Sequence, residues 1–342
     1  MPPTMASTIA TTMMIRRAMF MWRLRFFGGR LWTIHGAAAA GGYRGHLNLL
    51  SIRATATPLA SGLCGAIEPI YAEVAHRPSR RPNGHIQATG IDGAGRLQYL
   101  YHPDWSTGRD KGKYARALQL SGSLPRARGR VTTSLRRADL DRERVLATAF
   151  RLLDLAAPRV GSERYLVTHG SRGLTTLRRR DAATSASLIT LRFRGKSGKM
   201  QHLEVDDDDL AAAVTLLAAG RPASPLLAYE RGRRRVPLRP KDVNAYVRTM
   251  TGGAFTAKDF RTLRGTILAA DALARIGPVS SKTERKRAEV PAVKAAAEAL
   301  GNTPTVAKSS YIDPRVFTRY RRGQVLDVTV SPESAIRTLL LG

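Results

Sequence analysis

The chain has 342 residues and a formal net charge of +30 at pH 7, and its length suffices for about two domains of roughly 100–200 residues each. The charge favours a polyanionic partner because phosphate binding releases counterions, but alone it does not distinguish DNA, RNA and an anionic membrane. The single cysteine excludes an intrachain disulfide and a cysteine-based zinc site. Because the histidines are scattered and no apolar run reaches the ~20 residues of a membrane span, we expect no catalytic metal, no cofactor and no membrane segment.

Residues 1–79 differ in composition from the rest of the chain. No acidic residue precedes Glu68, whereas arginines are spread through the stretch. Arginine-rich, acid-poor N-termini are typical of organellar transit peptides. A disordered extension, or a wrongly assigned start or reading frame, explains the composition equally well. We therefore interpret residues 1–79 as an atypical segment that is disordered, results from a wrongly assigned start or reading frame, or serves as a targeting signal.

From residue 80 onward the pattern is typical of a folded protein. Short apolar stretches over 86–101, separated by the glycine-rich Asp92–Gly95, predict a β-hairpin. Apolar residues at helical spacing predict a helix over 142–157, which Pro158 ends.

The clearest predicted hairpin covers residues 188–205. Gly195–Lys199 turns the chain, and the apolar side chains of the first strand alternate with polar ones: Ile189, Leu191 and Phe193. Asp206–Asp209 then supply the negative charge that a helix N-terminus favours, ahead of an apolar helix over 210–219.

Two further helices are predicted towards the C-terminus. Thr256 and Asp259 form a capping pair for a helix over 257–276. Its expected buried stripe consists of Phe260, Leu263, Ile267, Ala270 and Ala274. A basic helix over 282–300 follows and is expected to be interrupted at Pro291.

Five polar residues of these elements could together serve phosphoryl transfer: Arg159, Lys196, Lys258, Arg261 and Tyr311. A phenol acts as a covalent nucleophile when cations stabilise the transferring phosphoryl group, and guanidiniums suit its non-bridging oxygens. A lysine at a hairpin tip can protonate a departing oxygen. Taken singly, the tyrosine is more often a packing residue, and Lys258 with Arg261 is more often a solvated surface pair.

Several separated motifs occur in the order of one family, and together they resemble type IB DNA topoisomerases of the bacterial and poxvirus kind. The similarity runs from about Pro82 to Tyr320, which is roughly 70% of the chain. Its motifs are Pro82–Gly90, Gln98–His102, Arg159–Tyr165, Gly173–Leu177, Phe193–Lys199, Thr256–Thr262, Leu300–Pro304 and Ser310–Tyr311.

The resemblance implies a role for each matching residue. Tyr311 would attack a DNA phosphodiester to give a 3′-phosphotyrosine, and Arg159 and Arg261 would hold the non-bridging oxygens. Lys196, assisted by Lys258, would protonate the leaving 5′ oxygen. Asn302 stands where poxvirus members carry a histidine, so it can donate a hydrogen bond but cannot become cationic. The DNA-contacting residues would be Gln98, Tyr99, Tyr101 and Tyr165, the last also supporting proton transfer. Neither ATP nor metal would be required.

Two features depart from the family. Arg264 stands where a small residue is usual, so its charge is expected either to point into the groove or to disturb helix packing. Residues 1–79 also lack the strand pattern expected of the opening part of the clamp domain. If those strands are missing, duplex affinity should fall even with the catalytic residues intact.

Two alternative functions stay open at this point. A tyrosine recombinase or integrase shares the Arg/Lys/Arg/Tyr set, but typically carries His-x-x-Arg where this chain has Lys258 to Arg261, and lacks the motifs at Asn83–Gly90 and Gln98–Tyr101. A non-catalytic basic DNA-binding homologue would need only the positive charge.

We therefore expect an α+β fold: a small β-rich N-terminal clamp domain, partial over 80–122, then a mainly helical catalytic domain with a β-hairpin over 123–330 and a tail over 331–342. The expected partner is double-stranded DNA, bound by a monomer largely through its backbone. The resemblance implies the bacterial cytoplasm and nucleoid, with organellar targeting by residues 1–79 as the alternative.

Overall fold

The computed structural model describes residues 77–78, 84–91 and 97–342. All of the described residues belong to one compact unit. The expectations for residues 1–76 and 79–83, which include Pro82 and Asn83 of the first motif, and for the turn at Asp92–Gly95 fall outside the described residues.

The first sheet is antiparallel and contains, in order, β1 (Arg77–Pro78), β2 (Ile86–Ile91) and β3 (Leu97–Tyr101). Strands β2 and β3 pair with Thr89 opposite Tyr99. The hairpin predicted over 86–101 is therefore confirmed in its strands, and its role as part of a DNA clamp stays a prediction.

Helix α1 (Pro103–Leu135) has no counterpart in the sequence-based expectations, because Pro125 and several glycines disfavour a helix interior. Burial along one face outweighs this low propensity, since the residues at helical spacing are almost inaccessible to solvent: Leu120, Leu124, Ala127, Val131 and Leu135. The helix runs unbroken through residues 122 and 123, where we expected a domain boundary, and the domain division itself stays a prediction.

Helix α2 (Arg142–Ala156) confirms the helix predicted over 142–157. The Asp141 carboxylate caps it by accepting a hydrogen bond of 2.8 Å from the Arg144 amide. It ends with Ala157 in the left-handed region, directly before Pro158, and a turn leads to the short helix α3 (Glu163–His169).

The second sheet confirms the hairpin predicted over 188–205. Strands β5 (Leu188–Arg194) and β6 (Met200–Asp206) pair antiparallel, with the expected apolar residues Ile189, Leu191 and Phe193 buried. Strand β4 (Ala182–Ser185) adds a third, unpredicted strand. Helix α4 (Asp208–Ala218) follows as predicted, and Asp207 caps it.

The remaining part of the chain is mainly helical. A two-stranded sheet precedes six helices, and the elements in order are β7 (Ala228–Arg231), β8 (Arg234–Pro237), α5 (Pro240–Thr251), α6 (Ala257–Ile276), α7 (Lys282–Ala299), α8 (Pro304–Ser310), α9 (Pro314–Arg321) and α10 (Pro332–Leu341). The predicted interruption at Pro291 was wrong, because α7 continues through it. Burial of Ala292 and Ala296 offsets the hydrogen bond that proline cannot make.

Helix α6 lies at the centre of the packing and matches its predicted bounds. Phe260, Leu263 and Ala270 are buried as expected, whereas Ile267 and Ala274 are half-buried. Its other side is enclosed too, since Asp259 and Thr262 are fully buried. The described chain is thus a mixed fold in which small antiparallel sheets accompany a mainly helical body. The residues that we expected to form a C-terminal tail pack against this body as α10, with Ile336 buried.

Candidate active site

A cleft of about 910 Å³ brings together residues from distant parts of the chain. Its walls come from the turn after α2, from α3, from the tip of the β5–β6 hairpin, from the start of α6 and from the residue after α8. Among the predicted site residues, those that line it are Arg159, Tyr165, Lys196, Lys258, Arg261 and Tyr311.

The cleft is strongly cationic. Arg172 and Arg194 line it together with the four predicted cations, and its described lining contains no aspartate or glutamate. The charge of Arg172 is partly neutralised from outside the cleft lining, because its guanidinium lies 2.8 Å from the Asp181 carboxylate. Clustered cations without a lining acid favour an anionic ligand such as a phosphodiester.

Tyr311 follows the last turn of α8 and is held by its backbone. Its amide donates to the Ala307 carbonyl at 2.9 Å, and its own carbonyl accepts from the Thr266 hydroxyl at 3.3 Å. Gly265 makes this approach of α6 possible, because a Cβ there would lie 2.8 Å from the Tyr311 carbonyl oxygen. The nucleophile candidate is therefore fixed directly against the helix that carries Arg261.

Arg261 is buried, with only 5% of its surface exposed. Its Nη1 donates to the Ala157 carbonyl at 2.6 Å and its Nη2 to the Leu300 carbonyl at 2.8 Å. The guanidinium carbon lies 4.9 Å from the centre of the Tyr311 ring. The interpretation of Arg261 as one of a solvated surface pair was therefore wrong, because the end of α2 and the end of α7 enclose it.

Arg159 and Asn302 contact each other. The Nη2 of Arg159 donates to the Asn302 side-chain oxygen. The turn that carries Arg159 is fixed by the Gly173–Leu177 segment: Leu174 donates its amide to the Arg159 carbonyl at 2.8 Å, and a Cβ at Gly173 would lie 2.5 Å from that same oxygen. Asn302 lies behind Arg159 rather than in the cleft lining.

Arg261 and Asn302 each carry one buried donor that has no hydrogen-bond partner among the described residues, the Nε of Arg261 and the Nδ2 of Asn302. Unpaired buried donors are uncommon because they lose their hydration without replacement. Both belong to side chains for which the resemblance implies phosphate binding. Of the two, only Arg261 lines the cleft, so an oxygen atom of a bound phosphodiester could satisfy its Nε.

The charges of the site shift its pKa values in a consistent way. Burial alone would raise the pKa of Tyr311, but the positive charges of Arg261, Arg159 and Lys258 outweigh it, so the net pKa is lowered. Burial lowers the pKa of Arg159, and burial together with the charge of Arg159 lowers the pKa of Arg261. The cluster thus stabilises negative charge on the phenolic oxygen.

Lys196 lies at the tip of the β5–β6 hairpin, as predicted. The tip is a short helical turn, Lys196–Gly198, in which Ser197 and Gly198 have φ values of 60° and 73°. The Gly195 amide closes the turn by donating to the Lys199 carbonyl at 2.8 Å. The Lys196 side chain is exposed and lines the cleft.

Lys258 lies in the first turn of α6, and its placement depends on a buried cap. The Asp259 carboxylate accepts from the Thr256 amide at 2.8 Å and from its hydroxyl at 2.9 Å, which confirms the predicted capping pair. Arg116 of α1 binds the other oxygen of Asp259 at 2.9 Å. Lys258 itself is exposed and lines the cleft.

The predicted DNA-contacting residues of β3 do not line the cleft. Tyr99 is 45% exposed, and its ring stacks with Tyr101 at a centroid distance of 6.2 Å. Tyr101 stacks in turn with Trp105 of α1 at 4.5 Å. Gln98 is half-buried in the same strand. Their contact with DNA stays a prediction.

Arg264 points away from the active-site cleft. It lines a second cavity of about 420 Å³, together with the carboxylates of Asp154 and Glu333. Burial lowers its pKa, while these two carboxylates partly offset that effect. The same acids bind Arg128 of α1, at 2.7 and 2.5 Å. The unusual charge is therefore accommodated in the second cavity and is not part of the active-site lining.

The sequence-based site lacked three titratable residues that line the cleft: His169, Arg172 and Arg194. A signal existed for Arg194, which lies within the Phe193–Lys199 motif and follows its alternation. His169 and Arg172 carried none, because α3 and the following turn bring them to the cleft only through tertiary packing.

Within the described part of the chain, no helix combines the length and the apolar character that crossing a bilayer requires. In that same part, no three His, Cys, Asp or Glu side chains gather as metal ligands would.

Comparison with known proteins agrees with this site. The family described as eukaryotic DNA topoisomerase I, catalytic core, matches residues 103–323. A protein called DNA topoisomerase 1B, from Acanthamoeba polyphaga mimivirus, is 27% identical over 283 residues, which cover 77% of this chain and 84% of the viral protein. These findings do not favour the recombinase or the non-catalytic alternative. The chain belongs to the type IB DNA topoisomerase family and is an isomerase that acts on DNA.

Proposed function

We propose that this enzyme relaxes supercoiled duplex DNA by cutting one strand through Tyr311 and resealing it. The observation that carries this proposal is the 4.9 Å contact between the Arg261 guanidinium and the Tyr311 ring, inside a cleft lined by cations. A cation in this position stabilises the phenolate before attack and the phosphoryl charge during it.

In the cleavage step, the hydroxyl oxygen of Tyr311 forms a bond to a DNA phosphorus, and the bond from that phosphorus to the 5′ oxygen breaks. The phenolic proton passes to solvent. Lys196, assisted by Lys258, gives a proton to the departing oxygen. The products are a 3′-phosphotyrosine and a free 5′ hydroxyl, and the reverse reaction reseals the strand.

Arg159 and Arg261 bind the non-bridging oxygens in this scheme. Arg261 is already oriented by two backbone carbonyls, and Arg159 by Asn302. The unpaired Nε of Arg261 is available for the extra charge of the transition state. Donors arranged before the reaction avoid the cost of reorganisation, and removing one typically lowers a rate by roughly 10²–10³.

The covalent intermediate conserves the energy of the phosphodiester bond, so resealing requires no ATP. The arginines and lysines supply the electrostatic stabilisation for which other phosphoryl-transfer enzymes use metal ions. We therefore propose a reaction independent of ATP and metal, in which supercoils relax by rotation about the uncut strand.

We propose that the partner is double-stranded DNA, gripped mainly through its phosphates by a monomer. Tyr165 lines the cleft and would contact the DNA near the cut, whereas Gln98, Tyr99 and Tyr101 would contact it from the first sheet. We propose the bacterial cytoplasm, at the nucleoid, as its location, with an organelle as the alternative that residues 1–79 raise.

The test is relaxation of supercoiled plasmid in EDTA without ATP. The parent should relax the plasmid and Tyr311→Phe should not. Tyr229→Phe, which changes a half-buried tyrosine outside the cleft lining, is the matched control and should relax like the parent. A parent that binds DNA and leaves the plasmid supercoiled would overturn the proposal, as would full relaxation by Tyr311→Phe.

A further inference from the structure

One polar side chain lies on the apolar face of the β5–β6 hairpin. Gln201 of β6 pairs with the buried Phe193 of β5, so its side chain shares a face with Phe193 and Val205. Alternation along the strand therefore predicts an apolar residue at position 201. The glutamine is instead half-buried there, beside the hairpin tip.

Two glycines make room for this side chain, one on each side. A Cβ at Gly195 would lie 2.7 Å from the Gln201 Cγ, and a Cβ at Gly301 would lie 2.0 Å from its Oε1. Gly195 directly precedes Lys196, and Gly301 directly precedes Asn302. The Gln201 side chain thus fills the space between the loop of the proposed general acid and the loop that orients Arg159.

The surroundings of Gln201 are tightly packed. Only about 10 Å³ of space remains in the small cavity lined by Gln201, Gly195, Lys196 and Arg159, among others. Its amide donates a long hydrogen bond, 3.4 Å from Nε2 to the Met200 carbonyl. A side chain in such a confined position transmits displacement from one loop to the other through contact.

We propose that Gln201 is a positioning residue that couples the Lys196 hairpin tip to the Gly301–Asn302 loop. Its contacts keep Lys196 in place over the 5′ oxygen when Arg159, oriented by Asn302, holds the phosphate. Removing its side chain leaves the tip free to move while the arginines keep their own contacts. This inference rests on the proposed function, since it concerns the delivery of the proton by Lys196.

The test compares single-turnover cleavage of two labelled duplexes that differ in one atom. One carries the ordinary 5′ oxygen at the cut, and the other carries sulfur. A thiolate leaves without protonation, because the pKa of a thiol is about 8.5, against about 15.7 for water. A defect in delivering the proton therefore disappears with the sulfur substrate, whereas a defect in holding the phosphate persists.

We expect Gln201→Ala to cleave the oxygen substrate about 10- to 100-fold more slowly than the parent, in line with the cost of a small misplacement. It should cleave the sulfur substrate within about threefold of the parent, since the general acid no longer contributes there. His202→Ala, on the opposite face of the same strand and 59% exposed, is the matched control and should behave as the parent on both substrates.

Gly195→Ala gives an independent check that does not depend on the folding of Gln201→Ala. The φ of −92° at Gly195 suits alanine, so its effect should come from the contact with Gln201. We expect the same substrate-dependent defect, and a much smaller effect when the change is added to Gln201→Ala, because the clashing side chain is then gone.

Equal slowing of both substrates by Gln201→Ala would overturn the inference, as would parent-like cleavage of the oxygen substrate. In either case, a parent that cleaves normally leaves the proposed function intact. A parent that cleaves neither substrate would overturn the proposed function, and this inference with it.

Discussion

Gly265 lies on α6 directly behind the proposed nucleophile, and enlarging it should move Tyr311. A Cβ at position 265 would lie 2.8 Å from the Tyr311 carbonyl oxygen and 3.1 Å from its Cβ. Close carbon–oxygen contacts in proteins begin at about 3.3 Å. Because the nearest atom is backbone, Gly265→Ala should displace Tyr311 from α6 by about 0.5 Å, the difference between these distances.

Two opposing effects decide the stability of this variant. Alanine gains up to about 1 kcal/mol over glycine in a helix interior. Overpacking typically costs about 1–3 kcal/mol, and here the backbone after α8 would have to shift. The cost should prevail, with a net loss of up to about 2 kcal/mol. A displacement of 1 Å can lower a rate about 100-fold, so half of that should slow cleavage about tenfold.

The assay pairs urea unfolding with the single-turnover rate of covalent adduct formation. Gly129→Ala is the matched control, because it also lies in a helix interior but no atom lies within 4 Å of its added Cβ. The control should gain up to about 1 kcal/mol of stability and cleave at the parent rate. If Gly265→Ala cleaves at the parent rate, or is as stable as Gly129→Ala, the proposed close packing of Tyr311 against α6 is wrong.

Three further predictions follow from the same contacts. Arg159 contributes to lowering the pKa of Tyr311; Arg159→Ala should therefore raise that pKa and move the rise of cleavage with pH to higher pH, and an unmoved pH–rate profile would contradict this. Asp259→Ala should lose about 1–3 kcal/mol of stability in urea unfolding, because the cap of α6 and the bond to Arg116 disappear. Asp271→Ala is the control: it loses only an exposed ion pair on the same helix and should unfold like the parent. Arg194→Ala should reduce the slope of log binding constant against log salt concentration by about one phosphate contact, whereas Tyr99→Ala should weaken duplex binding without changing that slope. Fluorescence anisotropy at several salt concentrations measures both, and equal slopes for the two variants would argue against a phosphate contact by Arg194.

The sequence predicts most elements that carry the candidate site. Periodicity and capping residues place α2, α6 and the β5–β6 hairpin with nearly correct bounds, because each has a local signal: Pro158, the Thr256–Asp259 cap and the glycine-rich turn. Helix α1 could not be predicted in this way. It depends on burial against other helices, which overrides the local effect of Pro125.

The chemistry of the site was predictable as a set of residue types, but its geometry was not. Sequence spacing puts Lys258 and Arg261 on one side of a helix, yet Lys258 is exposed and Arg261 is buried. The difference arises from the carbonyls of Ala157 and Leu300, which approach Arg261 from distant parts of the chain. Interactions of this kind leave no periodic pattern, and for that reason Arg172 also escaped notice.

The central claim is that Tyr311 forms a covalent bond to the 3′ phosphate of a cut strand. The most direct measurement mixes the enzyme with a duplex whose cleaved strand is labelled at its 5′ end, stops the reaction with detergent and separates protein-linked DNA. The parent should carry the 5′-labelled fragment, a duplex labelled at the 3′ end of that strand should leave the protein unlabelled, and Tyr311→Phe should carry no label. Labelled protein with Tyr311→Phe, linkage of the 3′-labelled fragment, or no linkage with the parent would contradict the account.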